Sequence, residues 1–306
     1  MNGNGKPIVI LGGTGHYGRH IVRSLLGKGQ HVRILSRNSD KARRILGDKV
    51  DIVEGDIRSQ KSVVEALQGV KAAVISVSAM TPKLIRNLRL IESDSVLMTL
   101  EEAQHAGISR IVYVSIYDIR EDFLKKMNIT WEIPEIKKNV EDTLSKSVFD
   151  WTVLGVAPSM EIFFSMIRRN TMMVPGGGPP SLPNVSPRDV GEIAAQTVLR
   201  DDLKGKRIRI TGPEALSFSD AATRIGLVTG KTISVWKIPL LPLRIASILA
   251  LPFTHYLRHL VTAIKLMNNY PQHVAAIAAK DSGWLADNFN YTPTTLEMEA
   301  KYRIRS

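Results

Sequence analysis

The sequence contains no cysteine, which excludes disulfides, thiolate catalysis and cysteine metal sites. It also lacks any uninterrupted apolar run of about 18 residues or more, so a membrane-spanning helix is not expected. The seven histidines show no metal-ligand spacing, and we therefore expect no metal site. The beginning of the chain, Met1 to Pro7, is short and polar. It predicts that no secretory signal precedes the first strand, and we expect a cytoplasmic protein.

Acidic residues are the minority charge, with 29 aspartates and glutamates against 41 lysines and arginines. The net charge of +12 is spread, since residues 1–150 contribute +5 (23 basic, 18 acidic) and residues 151–306 contribute +7 (18 basic, 11 acidic). Such an excess suits an anionic ligand, an anionic membrane surface or an ordinary solvated surface. The cations are not interleaved with aromatic residues, so we expect no sequence-specific nucleic-acid binding.

The most informative stretch lies near the beginning of the chain. An apolar strand, a glycine-rich turn, an amphipathic helix that ends at Gly27 and a second strand at 31–36 follow one another there. The turn fits G-x-G-x-x-G at Gly13, Gly15 and Gly18, and it also fits G-x-x-G-x-x-G from Gly12. A helix that begins at such a turn presents unpaired N–H groups to a pyrophosphate. We expect dinucleotide contacts from Gly12, Thr14, Gly15, His16, Tyr17 and Gly18; the alternative is a tight turn with no ligand.

The end of the second strand indicates which dinucleotide binds. An NAD site places an acidic residue there to accept a hydrogen bond from the ribose 2′-hydroxyl. This chain has Ser36 and Arg37 instead, and an arginine can bind a 2′-phosphate. The sequence therefore favours NADP(H) over NAD(H). The alternative is a solvated basic helix face, continued by Lys41, Arg43 and Arg44.

Five further strands are predicted, at 50–57, 71–78, 110–115, 151–154 and 206–211, with helices at 59–67, 84–106, 134–144 and after Ser186. The alternation predicts an α/β fold with a doubly wound parallel sheet. Ligands of such sheets bind outside the carboxyl ends of the strands. The ends that should converge on one crevice are Gly12–Gly18, Ser36–Arg37, Asp56–Ile57, Ser76–Val77–Ser78 and Ser115. Residues 214–306 are expected to be mostly helical.

Several motifs occur in an order that resembles the NmrA-like branch of the atypical short-chain dehydrogenases/reductases. They are Gly12 to Gly18, Arg37, Gly55-Asp56, Val112 to Ser115, Lys137-x-x-x-Glu141, Arg188-Asp189-Val190 and Thr211-Gly212-Pro213. The resemblance implies an NADP-binding Rossmann domain, formed by residues 1–156 and 185–212. It also implies a smaller, mostly helical substrate domain, formed by residues 157–184 and 213–306.

The resemblance also implies a catalytic position, and the chain departs from the family there. The Tyr-x-x-x-Lys pair of short-chain dehydrogenases supplies a proton-transferring tyrosine and a ribose-binding lysine. The lysine position matches Lys137, but the tyrosine position holds Ile133, which cannot transfer a proton. Glu132, Tyr117 or Ser115 would have to transfer the proton instead, or no proton is transferred. Lys137, Ser115 and Tyr117 are the candidate catalytic residues. Val156, where relatives show a proline, is expected at the cofactor.

The apolar segment 238–253 has three interpretations: it lines an apolar substrate pocket, packs in a homodimer or lies at a membrane surface. The chain is expected to be a monomer or a homodimer.

Three functions remain open. The first is an NADPH-dependent reductase of an apolar carbonyl, enone or quinone. The second is a non-enzymatic NADP(H) sensor or regulator, and the third is a membrane-associated assembly factor.

Overall fold

The computed structural model describes residues 5–117, 124–125, 127–249 and 255–305. The strands are β1 (Ile8–Leu11), β2 (Val32–Ser36), β3 (Asp51–Glu54), β4 (Ala72–Ile75), β5 (Arg110–Ile116), β6 (Asp150–Val156), β7 (Ile167–Arg168), β8 (Thr171–Pro175), β9 (Leu182–Pro183), β10 (Lys206–Ile210), β11 (Ala215–Leu216) and β12 (Ser234–Ile238). The α-helices are α1 (Gly18–Gly27), α2 (Ser39–Leu46), α3 (Gln60–Leu67), α4 (Ser95–His105), α5 (Glu132–Ser145), α6 (Glu161–Ser165), α7 (Pro187–Val198), α8 (Phe218–Thr229), α9 (Leu240–Leu249), α10 (Tyr256–Asn268), α11 (Gln272–Asn288) and α12 (Leu296–Arg305).

The large sheet has seven strands in the order β3-β2-β1-β4-β5-β6-β10, and every neighbouring pair is parallel. The interior strand β1 is fully buried, with Leu11 opposite both Leu35 and Ile75. Helices cover both faces, which produces one core cluster on each side of the sheet. The strand order reverses between β1 and β4, and ligands of doubly wound sheets bind at that position. The predicted doubly wound parallel sheet is confirmed.

Local sequence signals placed several helix ends correctly. The Ser59 side chain accepts a hydrogen bond from the Ser62 N–H and caps α3. Ser186 caps α7 in the same way, and Pro187 occupies the first turn, where its missing N–H costs nothing. The helix predicted at 134–144 is α5. The predicted third and fourth strands are shorter than expected, because the chain leaves the sheet after Glu54 and Ile75 and forms the rim of a cavity.

The helix predicted over 84–106 is not one regular α-helix. A short 3₁₀ turn (Ile85–Asn87) and a π-helical turn (Leu90–Asp94) come before α4. The Ser95 hydroxyl donates a 2.7 Å hydrogen bond to the Leu90 carbonyl, five residues earlier. Serine side chains that bond to a backbone carbonyl in this way compete with the regular helical pattern. π-Helical turns are frequent at functional sites, and this one carries Glu92, discussed below.

A third core cluster lies outside the large sheet. It contains Met160, Phe163, Met172 and Phe218 among others, and it packs near the small sheet β12-β8-β7. The helical C-terminal part of the chain does not pack on this cluster alone, since Leu285 of α11 belongs to a core cluster of the large sheet. The division into two domains stays a prediction.

A buried carboxylate connects α7 to the segment just before the last helix. Asp189 of α7 accepts hydrogen bonds from the Thr294 N–H at 2.8 Å and from the Thr294 hydroxyl at 2.5 Å. Burial raises the pKa of Asp189 to about 6. The folded state therefore holds a proton there at a pH where the unfolded chain has already lost it.

This raised pKa predicts a pH dependence of stability. The stabilising contribution of Asp189 is complete below about pH 4 and is lost as the pH rises through about 6, which amounts to up to about 3 kcal/mol. We expect Asp189→Asn, which has no charge to bury, to remove this loss. Urea unfolding of both proteins between pH 4 and pH 7 measures the difference. The exposed Asp48→Asn is the control, and parallel curves for wild type and Asp189→Asn would contradict the prediction.

The apolar segment 238–253 is largely the helix α9; its residues 250–253 lie outside the described part of the chain. The large side chains of α9 are mostly exposed, and none of them lines the cavity at the sheet. For the described residues, the interpretation as a substrate-pocket wall is therefore not supported. No helix in the described ranges has both the length and the apolar character that a bilayer span requires.

Candidate cofactor cleft and active site

A cavity of about 640 Å³ lies at the carboxyl edge of the large sheet, where the strand order reverses. It brings together most of the residues predicted to contact a dinucleotide. These are Gly12, Thr14, Gly15, His16, Tyr17, Ser36, Arg37, Asp56, Ile57, Ser76, Val77, Ser115 and Lys137. The predicted residues Gly18, Val156 and Tyr117 are not among its lining residues.

The glycine turn is shaped by close approach of the backbone to itself and to β4. The Gly15 N–H donates a 2.8 Å hydrogen bond to the Gly12 carbonyl. Gly12 has φ +86°, and a Cβ atom on it would lie 2.2 Å from the Ser76 carbonyl oxygen. A Cβ atom on Gly18 would lie 2.1 Å from the Gly12 oxygen. Gly18 therefore closes the turn without lining the cavity. The turn leaves the N-terminus of α1 open to the cleft, which is the arrangement that a pyrophosphate requires.

Two side chains of the turn connect it to the start of α6. The His16 Nε2 atom lies 2.8 Å from the Ser159 hydroxyl, and Nδ1 lies 3.2 Å from a Glu161 carboxylate oxygen. Hydrogen bonding to His16, together with Arg303, lowers the pKa of Glu161 to about 2. The ring of Tyr17 packs at 4.6 Å from that of His16, and burial raises the pKa of its hydroxyl. The turn is thus fixed by tertiary contacts as well as by its glycines.

One end of the cleft is basic. Arg37 is exposed at the end of β2, and no carboxylate of a described residue lies within ion-pair distance of its guanidinium. Lys41 lines the same end, and its N–H donates to the Asn38 side chain, which caps α2. Asp56 at the end of β3 is already engaged, since two hydrogen bonds from Arg58 (2.8 and 3.0 Å) lower its pKa. Arg37 is therefore the cation available for a phosphorylated ribose.

Lys137 takes part in a buried ion pair below the other end of the cleft. Its Nζ lies 2.9 Å from a Glu92 carboxylate oxygen, and the two side chains are only 8% and 2% exposed. The second Glu92 oxygen accepts a 2.6 Å hydrogen bond from the Ala79 N–H. The ammonium also lies 5.2 Å from the ring centroid of Tyr113. Burial alone would lower the pKa of Lys137, but Tyr113 and Glu92 together raise it above its usual range, so the ammonium stays charged.

Ser115 has a different set of partners. Its hydroxyl donates a 2.5 Å hydrogen bond to Glu141, which also accepts a 2.8 Å bond from Arg207. The guanidinium of Arg207 crosses the strand β6 and donates to the Ile116 carbonyl at 2.9 Å. A Cβ atom at Gly155 would lie 2.8 Å from this guanidinium and 3.0 Å from the Ile116 carbonyl oxygen, so the guanidinium crosses β6 close to a residue that has no side chain. Ser115 therefore lines the cleft, and its hydroxyl belongs to a hydrogen-bond network with Glu141 and Arg207.

Tyr117 and Val156 lie behind the cleft wall. The Tyr117 hydroxyl donates a 2.5 Å hydrogen bond to Asp281, whose other oxygen accepts from Arg209 at 2.8 Å. Burial, with a further contribution from Asp281, raises the pKa of Tyr117. Val156 is buried in the same core cluster and accepts the Tyr117 N–H at its carbonyl. The structure does not bring either residue to the cavity surface, and their assigned roles stay predictions.

Sequence reasoning missed the apolar end of the cleft. Near Lys137 the cavity is lined by Met80, Thr81, Leu84, Ile91, Glu92, Val114, Ile116 and Ile133. The sequence singled out Ile133 only because it stands at the tyrosine position of the family, yet this residue contributes to the cavity wall. Val114 and Ile116 lie on β5, and Met80, Thr81, Leu84, Ile91 and Glu92 lie in the irregular segment between β4 and α4, where no periodic pattern indicated a site. A glutamate within the apolar run at Leu90 and Ile91 was the available signal for Glu92.

Comparison with known proteins agrees with this geometry. A sequence model described as NAD(P)H-binding matches residues 12–200, which is more than half of the chain. The chain belongs to this NAD(P)H-binding family. The family expected from the glycine turn and the strand-end motifs is therefore confirmed.

Proteins similar to this NAD(P)H-binding protein carry names that describe different functions. The photosystem II assembly factor Ycf39 of Trieres chinensis is 26% identical over 244 residues, which cover 78% of this chain and 74% of that protein. The triphenylmethane reductase of Citrobacter sp. superposes with a TM-score of 0.73 at 18% identity, covering 98% of this chain and 100% of that one. The NADPH-dependent quinone oxidoreductase of Escherichia coli, in complex with NADPH, gives 0.70 at 16% identity, with 97% and 99% covered. The two solved structures show the shared fold.

Proposed function

We propose that the protein is an NADPH-dependent reductase of an apolar acceptor, such as a quinone, an enone or an apolar carbonyl. The observation that carries this proposal is a single cleft with two chemically different ends. A glycine turn and two cations form one end, and Met80, Leu84, Ile91 and Ile133 form the other, beside the charged Lys137. The names of the two reductases of similar fold, a quinone oxidoreductase and a triphenylmethane reductase, indicate that each acts on an aromatic or quinonoid compound.

The residues of the chain fit the cofactor in distinct ways. The α1 N-terminus and the turn at Gly12–Gly15 would hold the pyrophosphate, while Arg37 and Lys41 would hold the 2′-phosphate. Bound NADPH supplies the hydride. Lys137 would place a fixed positive charge at the ribose, and the Ser115 hydroxyl would orient a polar group of the cofactor or acceptor. Ile133 supplies no proton, and a quinone that has accepted the hydride can take the one proton it still needs from water.

We expect the purified protein to oxidise NADPH in the presence of apolar quinones. A panel of quinones and enones, with NADPH absorbance as the readout, tests this. Leu84→Asp should lower kcat/KM for the acceptor by roughly tenfold, because it places a charge against an apolar ligand, and it should leave NADPH affinity unchanged. The matched control is Leu199→Asp, at an exposed leucine outside the cleft. Tight NADPH binding without oxidation by any acceptor would overturn the reductase proposal.

That outcome would favour a second function, a non-enzymatic NADP(H) sensor or regulator. Two observations support it specifically: Ile133 stands where a proton donor is expected, and the Tyr117 hydroxyl is bonded to Asp281 behind the cleft wall. The name of the Ycf39 relative also leaves an assembly role open. A sensor would show a cofactor-dependent change in protease sensitivity or partner binding in the absence of turnover.

A further inference from the structure

Helix α9 presents an apolar face that nothing in the described structure covers. Leu241, Ile245, Ile248 and Leu249 are between 50% and 71% exposed. Their spacing places them on one side of the helix. Trp236, on the preceding strand β12, is 56% exposed. Scattered exposed leucines are normal on a protein surface, but four large apolar side chains exposed on one face of a helix mark an interaction site.

The stretch of chain that contains this face carries charge of one sign. Between Asp220 and Asp281 the sequence contains seven lysines and arginines and no acidic residue. Lys237 and Arg244 flank the apolar face and are exposed, and Arg258 is exposed on α10, which packs against α9. None of these three forms an ion pair with a described residue. More than half of the net charge of +12 therefore comes from these sixty residues.

We propose that α9 and Trp236 dock the protein on the surface of a membrane that contains anionic lipids. The apolar side chains would enter the interface between headgroups and acyl chains, while Lys237, Arg244 and Arg258 would contact the headgroups. Tryptophan is enriched at this depth of a bilayer. At ten residues, α9 is too short to cross the bilayer and would lie along its surface.

A second copy of the chain is a poorer occupant of this face. A two-fold symmetric contact places the same patch on both sides of the interface. It would bring the uncompensated cations of two copies together, with no acidic residue of this stretch to pair with them. An anionic lipid surface satisfies the apolar and the basic groups at the same time.

Flotation of the full chain with vesicles tests the proposal. We expect binding to vesicles of phosphatidylcholine with phosphatidylglycerol, and much weaker binding to phosphatidylcholine alone or at high salt. The double variant Ile245→Asn/Ile248→Asn should bind roughly tenfold or more weakly. Arg244→Gln should bind roughly fivefold more weakly. Circular dichroism and thermal unfolding establish that each variant is folded, and no cofactor is required.

The matched control is Leu227→Asn, since Leu227 is 80% exposed on α8 within the same acid-free stretch. It should bind like the wild type. Failure of the wild type to float with anionic vesicles would overturn the proposal, as would equal binding by the double variant. A concentration-dependent dimer that the double variant abolishes, without vesicle binding, would assign the face to a second copy instead.

Discussion

Replacing Arg37 by aspartate is expected to invert the cofactor preference of the protein. NADPH affinity should fall roughly 100-fold, because a charge-assisted bond to the 2′-phosphate is lost and a like charge is introduced. NADH affinity should rise, since an aspartate at the end of β2 can accept a hydrogen bond from the ribose 2′-hydroxyl. Calorimetric titration of wild type and variant with both dinucleotides measures the four affinities.

The matched control for this experiment is Arg44→Asp. Arg44 is exposed on α2, seven residues further along the chain, and does not line the cavity. Arg44→Asp changes the net charge by the same amount as Arg37→Asp, so any general electrostatic effect on an anionic ligand appears equally in both variants. If the two variants lose NADPH affinity to the same extent, Arg37 does not select the phosphate. A wild type that prefers NADH would contradict the assignment directly.

The sequence was sufficient to predict the sheet and the nucleotide half of the cleft, because both depend on local patterns. A strand buried on both faces is apolar along its whole length, as Ile8 to Leu11 are. The tight turn after it requires glycine, since any side chain at Gly12 would collide with the Ser76 carbonyl. Strand ends meet at one edge of a parallel sheet, so the order of motifs along the chain already predicted which residues gather there.

The apolar half of the cleft depends on contacts between distant residues, which no local pattern reveals. Tyr117 looked like a proton donor, but its hydroxyl is bonded to Asp281, 164 residues away in the sequence. Glu92 reaches the site because a π-helical turn interrupts a segment that the sequence predicted as regular helix. The composition of α9 was visible, but composition does not say whether an apolar helix is covered.

These contacts between distant residues place a buried ion pair at the apolar half of the cleft. Lys137 is held between Glu92 and the ring of Tyr113, so its position is set by the protein and not by a ligand. An ammonium fixed in this way would meet a bound cofactor without first having to reorganise, although Glu92 compensates part of its charge. The same arrangement makes the ion pair important for folding, and the two roles can be separated by experiment.

Removing one partner of this pair is expected to destabilise the fold strongly. Lys137→Met should lower the free energy of unfolding by about 3–5 kcal/mol, because Glu92 is left buried with an uncompensated charge. Glu92→Gln should cost less, since its amide oxygen can still accept the Ala79 N–H. The double variant should regain much of the stability that Lys137→Met loses, with a coupling of about 1–3 kcal/mol in urea unfolding.

Lys138→Met is the matched control, since Lys138 is exposed and pairs with Asp142 on the surface of α5, where the expected cost is below about 1 kcal/mol. If Lys137 also acts at the cofactor, the double variant should be stable and still oxidise NADPH at least about tenfold more slowly than Glu92→Gln alone. Additive stability effects would show that the two charges are not coupled. Full activity in the stable double variant would restrict Lys137 to a structural role, and hydride transfer would then depend on the cofactor and the apolar wall alone.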